Sequence, residues 1–326
     1  MSWALSLSLA CAALAVEAAF GYPPALYRRI GHPVTWIGAL ITASEARINR
    51  VTDSPWLSRV KGLASLLFWL AVTVLVTGTV TWICGASPWL FPVLVLLAAS
   101  LPAQRSLYEH VAAVADALEG DGLEAARKAV GQIVGRRTDA LDTAGIARAA
   151  IESLAENFSD GIVAPAFWLG VGGLTGGVLY KAINTADSMI GHRTKRYEYF
   201  GWASARLDDL VNLPASRLAA LFLILAALFD GWALARNALG AILRDAGHHR
   251  SPNAGWPEAA MAGALGLKLA GPRLYEEGLV DDAFMGDGRR DAAAHDIRYA
   301  LKLMRRACFI QFMLLAGLAL WISLRG

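Results

Sequence analysis

The chain has 326 residues, 56% of them hydrophobic and 17% charged, with a formal net charge of +3. A mean hydropathy of +0.43, set beside a charged fraction of about 25% in soluble domains, excludes an ordinary soluble globular protein. The composition points to an all-α, polytopic helical membrane protein, with residues 1–326 forming one integral-membrane domain. The basic residues are dispersed and no basic cluster carries interleaved aromatics, which excludes a nucleic-acid surface.

Residues 1–20 form the first apolar segment; with no basic leader and with Glu17 near its end, it reads as a retained span rather than a cleaved signal. Pro23 and Pro24 end it. The polar region 22–61 holds His32-Pro33-Val34 and six cations, Arg28, Arg29, Arg47, Arg50, Arg59 and Lys61, and is expected on the cytoplasmic side. Residues 62–84 carry no formal charge and are the clearest span. Residues 89–102 return as a shorter apolar partner. Cys11, Cys84 and Cys308 lie singly in apolar segments, without metal spacing, and are expected to pack.

Residues 104–160 read as amphipathic cytoplasmic helices, broken at Glu119-Gly120-Asp121-Gly122. Asp142 is placed to cap a helix from Thr143, on which Ile146, Ala150, Leu154 and Phe158 make an apolar stripe. Glu152 and Glu156 fall one turn apart on another face, either sharing a cation or simply solvated. Residues 161–180 are apolar but rich in glycine, a composition suited to a spanning or, better, a re-entrant segment. A re-entrant path would leave the polar region 181–212 on the cytoplasmic side.

In that region Lys181, Asn184, Asp187, Ser188 and His192 recur at helical spacing, followed by Arg193, Lys195 and Arg196, and then by Asp208, Asp209 and Asn212. Acidic sets on both sides of a cationic cluster suit a Mg²⁺-nucleotide or a phosphorylated substrate, because carboxylates bind the metal and Lys/Arg bind phosphate oxygens. Ordinary surface ion pairs would give the same composition. Residues 213–235 are the next span, with Asp230 snorkelling at its end; 236–306 is polar, and 307–324 is the last span. His32, His192, His248 and His249 are expected to be exposed or satisfied, with His192 the exception because it adjoins the cations. No G-x-x-x-x-G-K-[ST] run marks a nucleotide fold.

Four runs carry a resemblance: HPVTWIG (32–38), AENFSDGIVAPAFW (155–168), YKAINTADSMIGHRTKRYEYFGWASARLDDLVNLPASR (180–217) and SPNAGWPEAAMAGALGLKLAGP (251–272). In collinear order over most of the chain, they resemble the CbiB/CobD family of cobalamin biosynthesis, the adenosylcobinamide-phosphate synthases. Where that family often has Gly-Asp-Pro, this chain has Gly21-Tyr22-Pro23, so no acidic role is carried to position 22.

The resemblance implies ATP-dependent joining of aminopropanol or its O-phosphate to the free propionate carboxyl of adenosylcobyric acid, with ATP and Mg²⁺ required. The expected location is the cell (inner) membrane, with the active site cytoplasmic. Partners would be the corrinoid, the amine, membrane lipid and other cobalamin-pathway enzymes.

Glu152, Glu156, Asp160, Asp187, Asp208 and Asp209 are the candidate catalytic carboxylates, with Glu156, Asp187 and Asp208 the Mg²⁺ set. Lys181, Arg193, Lys195 and Arg196 are candidates for phosphate, and Asn157, Asn184, Ser188, His192, Asn212, Ser251 and Asn253 for corrinoid amides or metal waters. Two alternatives from other classes remain: a Mg-dependent intramembrane prenyl- or phospho-transferase, and a non-catalytic corrinoid-binding membrane scaffold.

Overall fold

The computed structural model describes residues 2–275, 278–280 and 282–325. The helices, in chain order, are α1 (Trp3–Phe20), α2 (Pro24–Ile30), α3 (Pro33–Ile48), α4 (Pro55–Gly85), α5 (Phe91–Ala98), α6 (Gln104–Asp116), α7 (Leu123–Val130), α8 (Thr143–Phe158), α9 (Ala164–Ile190), α10 (Trp202–Leu228), α11 (Trp232–Asp245), α12 (Gly255–Leu265) and α13 (Ala294–Ser323). Among the described residues, five helical stretches are long and apolar enough to cross a membrane: Trp3–Phe20, Pro55–Gly85, Thr143–Ile190, Trp202–Leu228 and Ala294–Ser323.

Several boundaries differ from those the hydropathy suggests. Residues 89–102 are observed as a 3₁₀ turn and the eight-residue α5, which at ~1.5 Å per residue falls well short of ~30 Å of hydrocarbon. The polar region 181–212 is mostly helix, because α9 runs to Ile190 and α10 begins at Trp202; Lys181, Asp187, Asp208 and Asp209 lie on these helices, while Arg193, Lys195 and Arg196 lie in the connection between them. After Leu228 the chain turns at Gly231 (φ 138°) into α11 instead of continuing the span to 235. The fold is all-α, as the composition predicts, with four short strands added among the described residues. β1 (Leu269–Ala270) pairs antiparallel with β4 (Phe284–Met285), and β2 (Arg273–Tyr275) with β3 (Gly278–Val280). Strands of two or three residues are too short to reveal a period-2 pattern.

The chain forms two compact units. The first comprises residues 1–103, 164–212 and 315–326. In it α1 packs on α5 and α9 through Leu9, Ala10, Ala13, Leu94, Ala98, Leu101 and Leu169. The path of α9 is decided at Gly173, whose φ of 61° and ψ of −153° break the helix. A Cβ placed on Gly176 would lie 2.4 Å from the carbonyl oxygen of Trp168, and one on Gly177 would lie 2.7 Å from the Leu169 side chain. Residues eight apart in a continuous helix are ~12 Å apart, so the two arms of α9 fold back against each other around Gly173. Glycine at 176 and 177 permits this approach. A second cluster, Ile41, Leu66, Trp69, Ala186, Ile190, Phe200 and Ala203, packs α3 and α4 beneath the second arm of α9 and the start of α10.

The second unit comprises residues 104–163 and 213–314. Asp142 caps α8 as its position predicts, accepting from the Gly145 N–H at 2.7 Å. The stripe Ile146, Ala150, Leu154 and Phe158 is fully buried; each of the three larger side chains contributes about 1.5–3 kcal/mol on general grounds. α11 and α12 pack closely, with Gly263 against the Asn237 backbone.

Candidate active site

In the first unit, the second arm of α9 presents Tyr180, Lys181, Asn184 and Asp187 at helical spacing toward the first turns of α10. Asp208 is buried there, and both its oxygens are engaged: Asn184 Nδ2 donates to Oδ1 at 3.3 Å and Asn212 Nδ2 to Oδ2 at 2.9 Å. Tyr180 Oη donates in turn to Asn212 Oδ1 at 2.9 Å. The sharing is complementary, since the Asn212 amide both accepts from the phenol and donates to the carboxylate. Asp187 and Asp209 lie within electrostatic reach of Asp208, so this place concentrates negative charge in a setting where water screens it poorly. Gly191 abuts the Asp187 carboxylate, where a Cβ would meet Oδ1. Asp209 also pairs with Arg206.

The connection 191–201 carries His192, Arg193, Lys195 and Arg196, all exposed. It is anchored on α3: the Arg196 guanidinium binds Glu45 in a two-pronged contact at 2.8 and 3.0 Å. Asn49 Nδ2 adds bonds to Glu45 Oε1 and to the Arg196 carbonyl. Burial acts to raise the Glu45 pKa, but the hydrogen bonds from Arg196 and Asn49 and the Arg196 charge outweigh it and hold the carboxyl below its usual range. Arg196 is thus committed to an anchor rather than standing free for phosphate. His192 bonds through Nε2 to the Ser188 carbonyl at 2.9 Å.

The geometry adds residues that the spacing did not single out. His32 caps α3, its Nδ1 accepting from the Val34 N–H at 3.2 Å. Its ring packs edge-on against Tyr22 with centroids 4.5 Å apart. Burial, and next the nearby Lys181 ammonium, lower the His32 pKa, against a smaller raising effect from a hydrogen bond with the Ser100 backbone. Both lowering effects favour the neutral imidazole. The signal in the sequence was the HPVTWIG run, which gave no distance to residue 181. Tyr180 was visible only as the first residue of the run 180–217, and Glu45 gave no signal.

In the second unit, Glu152 is not solvated. Its side chain is 7% exposed, accepting from Arg136 Nη2 at 3.0 Å and from the Ala270 N–H at 2.8 Å. It fastens β1 and the segment after α7 to α8. Glu156 and Asn157 are exposed one turn on; Asn157 donates to the Ser153 carbonyl, and Asp160 sits in a π-helical turn, Ser159–Val163. Asn253 is buried, its Oδ1 accepting from Ser216 Oγ at 3.1 Å and Arg217 Nη1 at 2.8 Å, while Arg217 stacks on Trp256. Ser251 Oγ accepts from the Asn253 and Ala254 N–H groups. Both residues hold the turn that starts α12.

Among the described residues, no group of three or more His, Cys, Asp and Glu side chains stands in a metal-binding arrangement. The donors brought together at Asp187 and Asp208 are all oxygens. One or two carboxylates completed by substrate phosphates and water are what Mg²⁺ takes, so this pair fits that ion better than a soft metal.

Spanning-length apolar helices and a buried carboxylate–amide cluster beside exposed cations define a multi-pass helical membrane protein with a polar site. Residues 10–304 match the CobD/CbiB protein family, and the chain belongs to it. It is 48% identical over 301 residues to the cobalamin biosynthesis protein CobD of Sinorhizobium fredii, covering 91% of each chain. It is 49% identical over 315 residues to that of Rhodobacter capsulatus, covering 96% of this chain and 95% of the other. It is 47% identical over 319 residues to that of Brucella suis, covering 96% of each. No solved structure matches the chain.

Proposed function

We propose that this protein acts in cobalamin biosynthesis as an ATP-dependent amide synthase, joining adenosylcobyric acid to aminopropanol or its O-phosphate. The observation that carries this reading is the Asp208–Asn184–Asn212 cluster with Asp187 beside it, in a chain nearly half identical to CobD proteins.

A carboxylate is a poor electrophile. In the proposed reaction, a propionate oxygen attacks the γ-phosphorus, the bond to ADP breaks, and an acyl phosphate forms. The amine nitrogen then attacks the acyl carbon, the C–O bond to phosphate breaks, and amide and inorganic phosphate leave. Lys181 and the exposed Arg193 and Lys195 neutralise phosphate charge, a matter of positioning and electrostatics rather than of a protein nucleophile. Mg²⁺, held by Asp187 and Asp208, would balance the charge of the transferring phosphoryl group. Asn184 and Asn212 keep Asp208 in one orientation, and the proton released by the amine leaves with the inorganic phosphate. The reversal at Gly173 supports a reading in which residues 161–180 re-enter the bilayer instead of crossing it; on that reading the polar residues 181–212 would lie on the cytoplasmic side.

Protein purified in detergent, given adenosylcobyric acid, aminopropanol phosphate, Mg²⁺ and ATP, is expected to release amide product and ADP in equal amounts. Asp187→Asn and Asp208→Asn should each lower turnover by ~10²-fold or more with membrane insertion intact. Wild-type rates in both variants would remove the site; product formed from a prenyl diphosphate without ATP, or tight corrinoid binding without turnover, would remove the reaction.

A further inference from the structure

A pocket of about 480 Å³ opens in the second unit, and none of its walls belongs to the cluster at Asp208. Its walls include Tyr108 from α6, Phe229 just past α10, and Lys302, Arg305, Arg306 and Phe309 from α13. Its level relative to a bilayer follows from the chain. The apolar run of α10 ends at Leu228, two residues before Asp230; on α13 an uncharged run begins at Ala307 and lasts until Arg325. Asp230 accepts from Tyr299 Oη at 2.9 Å, from Lys302 Nζ at 3.0 Å and from Arg306. Both helices therefore change from polar to apolar at one level, the level a membrane surface would take.

The charges at this level are unbalanced. Lys302 and Arg306 share the single carboxylate of Asp230, and Arg305 meets only the face of Tyr108, at 5.8 Å, with no carboxylate partner among the described residues. Arg298 is held by Asp116 and Glu119; with that trio included, four cations face three carboxylates and the balance stays positive. Directly along the same face of α13 come Phe309 and Met313, both large and exposed. Residues 302, 305, 306, 309 and 313 thus form one strip, cationic at one end and apolar from 309 to 313 over ~6 Å. That polarity gradient is the gradient of a phospholipid.

We propose that this pocket binds one anionic phospholipid, its phosphate held by Arg305 with Arg306 and Lys302, and its acyl chains lying along Phe309 and Met313. The aromatic walls suit the headgroup level, and cations next to a span attract anionic lipid. The site is independent of the amide-synthase reading.

The test is native mass spectrometry of the full chain, delipidated in detergent and incubated with phosphatidylglycerol or phosphatidylcholine. Phosphatidylglycerol should be retained about fivefold more than phosphatidylcholine, the ratio expected from roughly one added cation contact. Arg305→Gln should bring the two lipids level, while Arg137→Gln, which removes a cation paired with exposed Asp139, should change nothing. Phe309→Ala should weaken retention of both lipids, and gives a second test should Arg305→Gln fail to fold. Equal retention of the two lipids by the wild type, unchanged retention in Arg305→Gln or in Phe309→Ala, or displacement of the lipid by millimolar inorganic phosphate would overturn the proposal. So would a lipid-free dimer that Phe309→Ala dissociates.

Discussion

The reversal of α9 can be tested with a single cross-link. Leu169 and Gly177 are eight residues apart, so an unbroken helix would separate them by ~12 Å, beyond the ~7 Å between Cα atoms that a disulfide tolerates. In the folded chain Leu169 Cγ lies 2.7 Å from where a Cβ on residue 177 would stand, close to the place a cysteine sulfur at 169 would occupy. The variant Leu169→Cys/Gly177→Cys is therefore expected to oxidise within one chain, after the three native cysteines, Cys11, Cys84 and Cys308, none of them in a disulfide, have been replaced by alanine. The assay is mild oxidation in native membranes, then maleimide labelling under denaturing conditions. Nearly complete loss of both labelling sites, reversed by reductant, is the expected result; each single variant should keep its one site. Full labelling of both thiols after oxidation would mean that α9 is continuous, and the re-entrant reading of residues 161–180 would go with it.

Gly176→Leu should destabilise the protein by about 1–3 kcal/mol through overpacking against the Trp168 carbonyl. Gly172→Ala, with nothing within 4 Å of the new carbon, should not, and unfolding in mixed detergent with SDS distinguishes the two. Glu152→Gln leaves the Arg136 guanidinium, 12% exposed, without its counter-charge and should cost about 3–5 kcal/mol in the same assay; a loss below ~1 kcal/mol would show that the pair is not structurally engaged. Because the folded pKa of Glu45 is depressed, its contribution is complete above its unfolded value, ~4.3, and is lost as pH falls through the folded value. Hydrogen exchange in residues 191–201 should accordingly rise in acid. Glu45→Gln should show the raised exchange at neutral pH already; an unchanged exchange pattern there would detach Arg196 from any anchoring role.

Much of the helical content is legible along the chain, because a helix that crosses lipid must be apolar over its full length and capping residues act locally. Residues 62–84 lie inside α4, Asp142 caps α8, and the breaker at 119–122 separates α6 from α7. The candidate carboxylates of residues 181–212 were visible as a set because their spacing is helical. Hydropathy misplaced the ends of α9, α10 and α13, where the helix continues through charged turns that an apolar window leaves out.

Which carboxylate joins a polar cluster and which is a fastener was not local information. Glu152 and Asp208 look alike in sequence, two acids near apolar runs. One is neutralised by Arg136, sixteen residues away, and the other is held by two amides beside a second acid. Likewise Gly173, Gly176 and Gly177 advertise close packing, but that the chain doubles back there depends on Trp168 and Leu169 meeting the returning arm. Composition and periodicity decide where polar groups lie along a helix; the partners that set their charge balance come from elements distant in the chain, and only the packed structure brings those into contact.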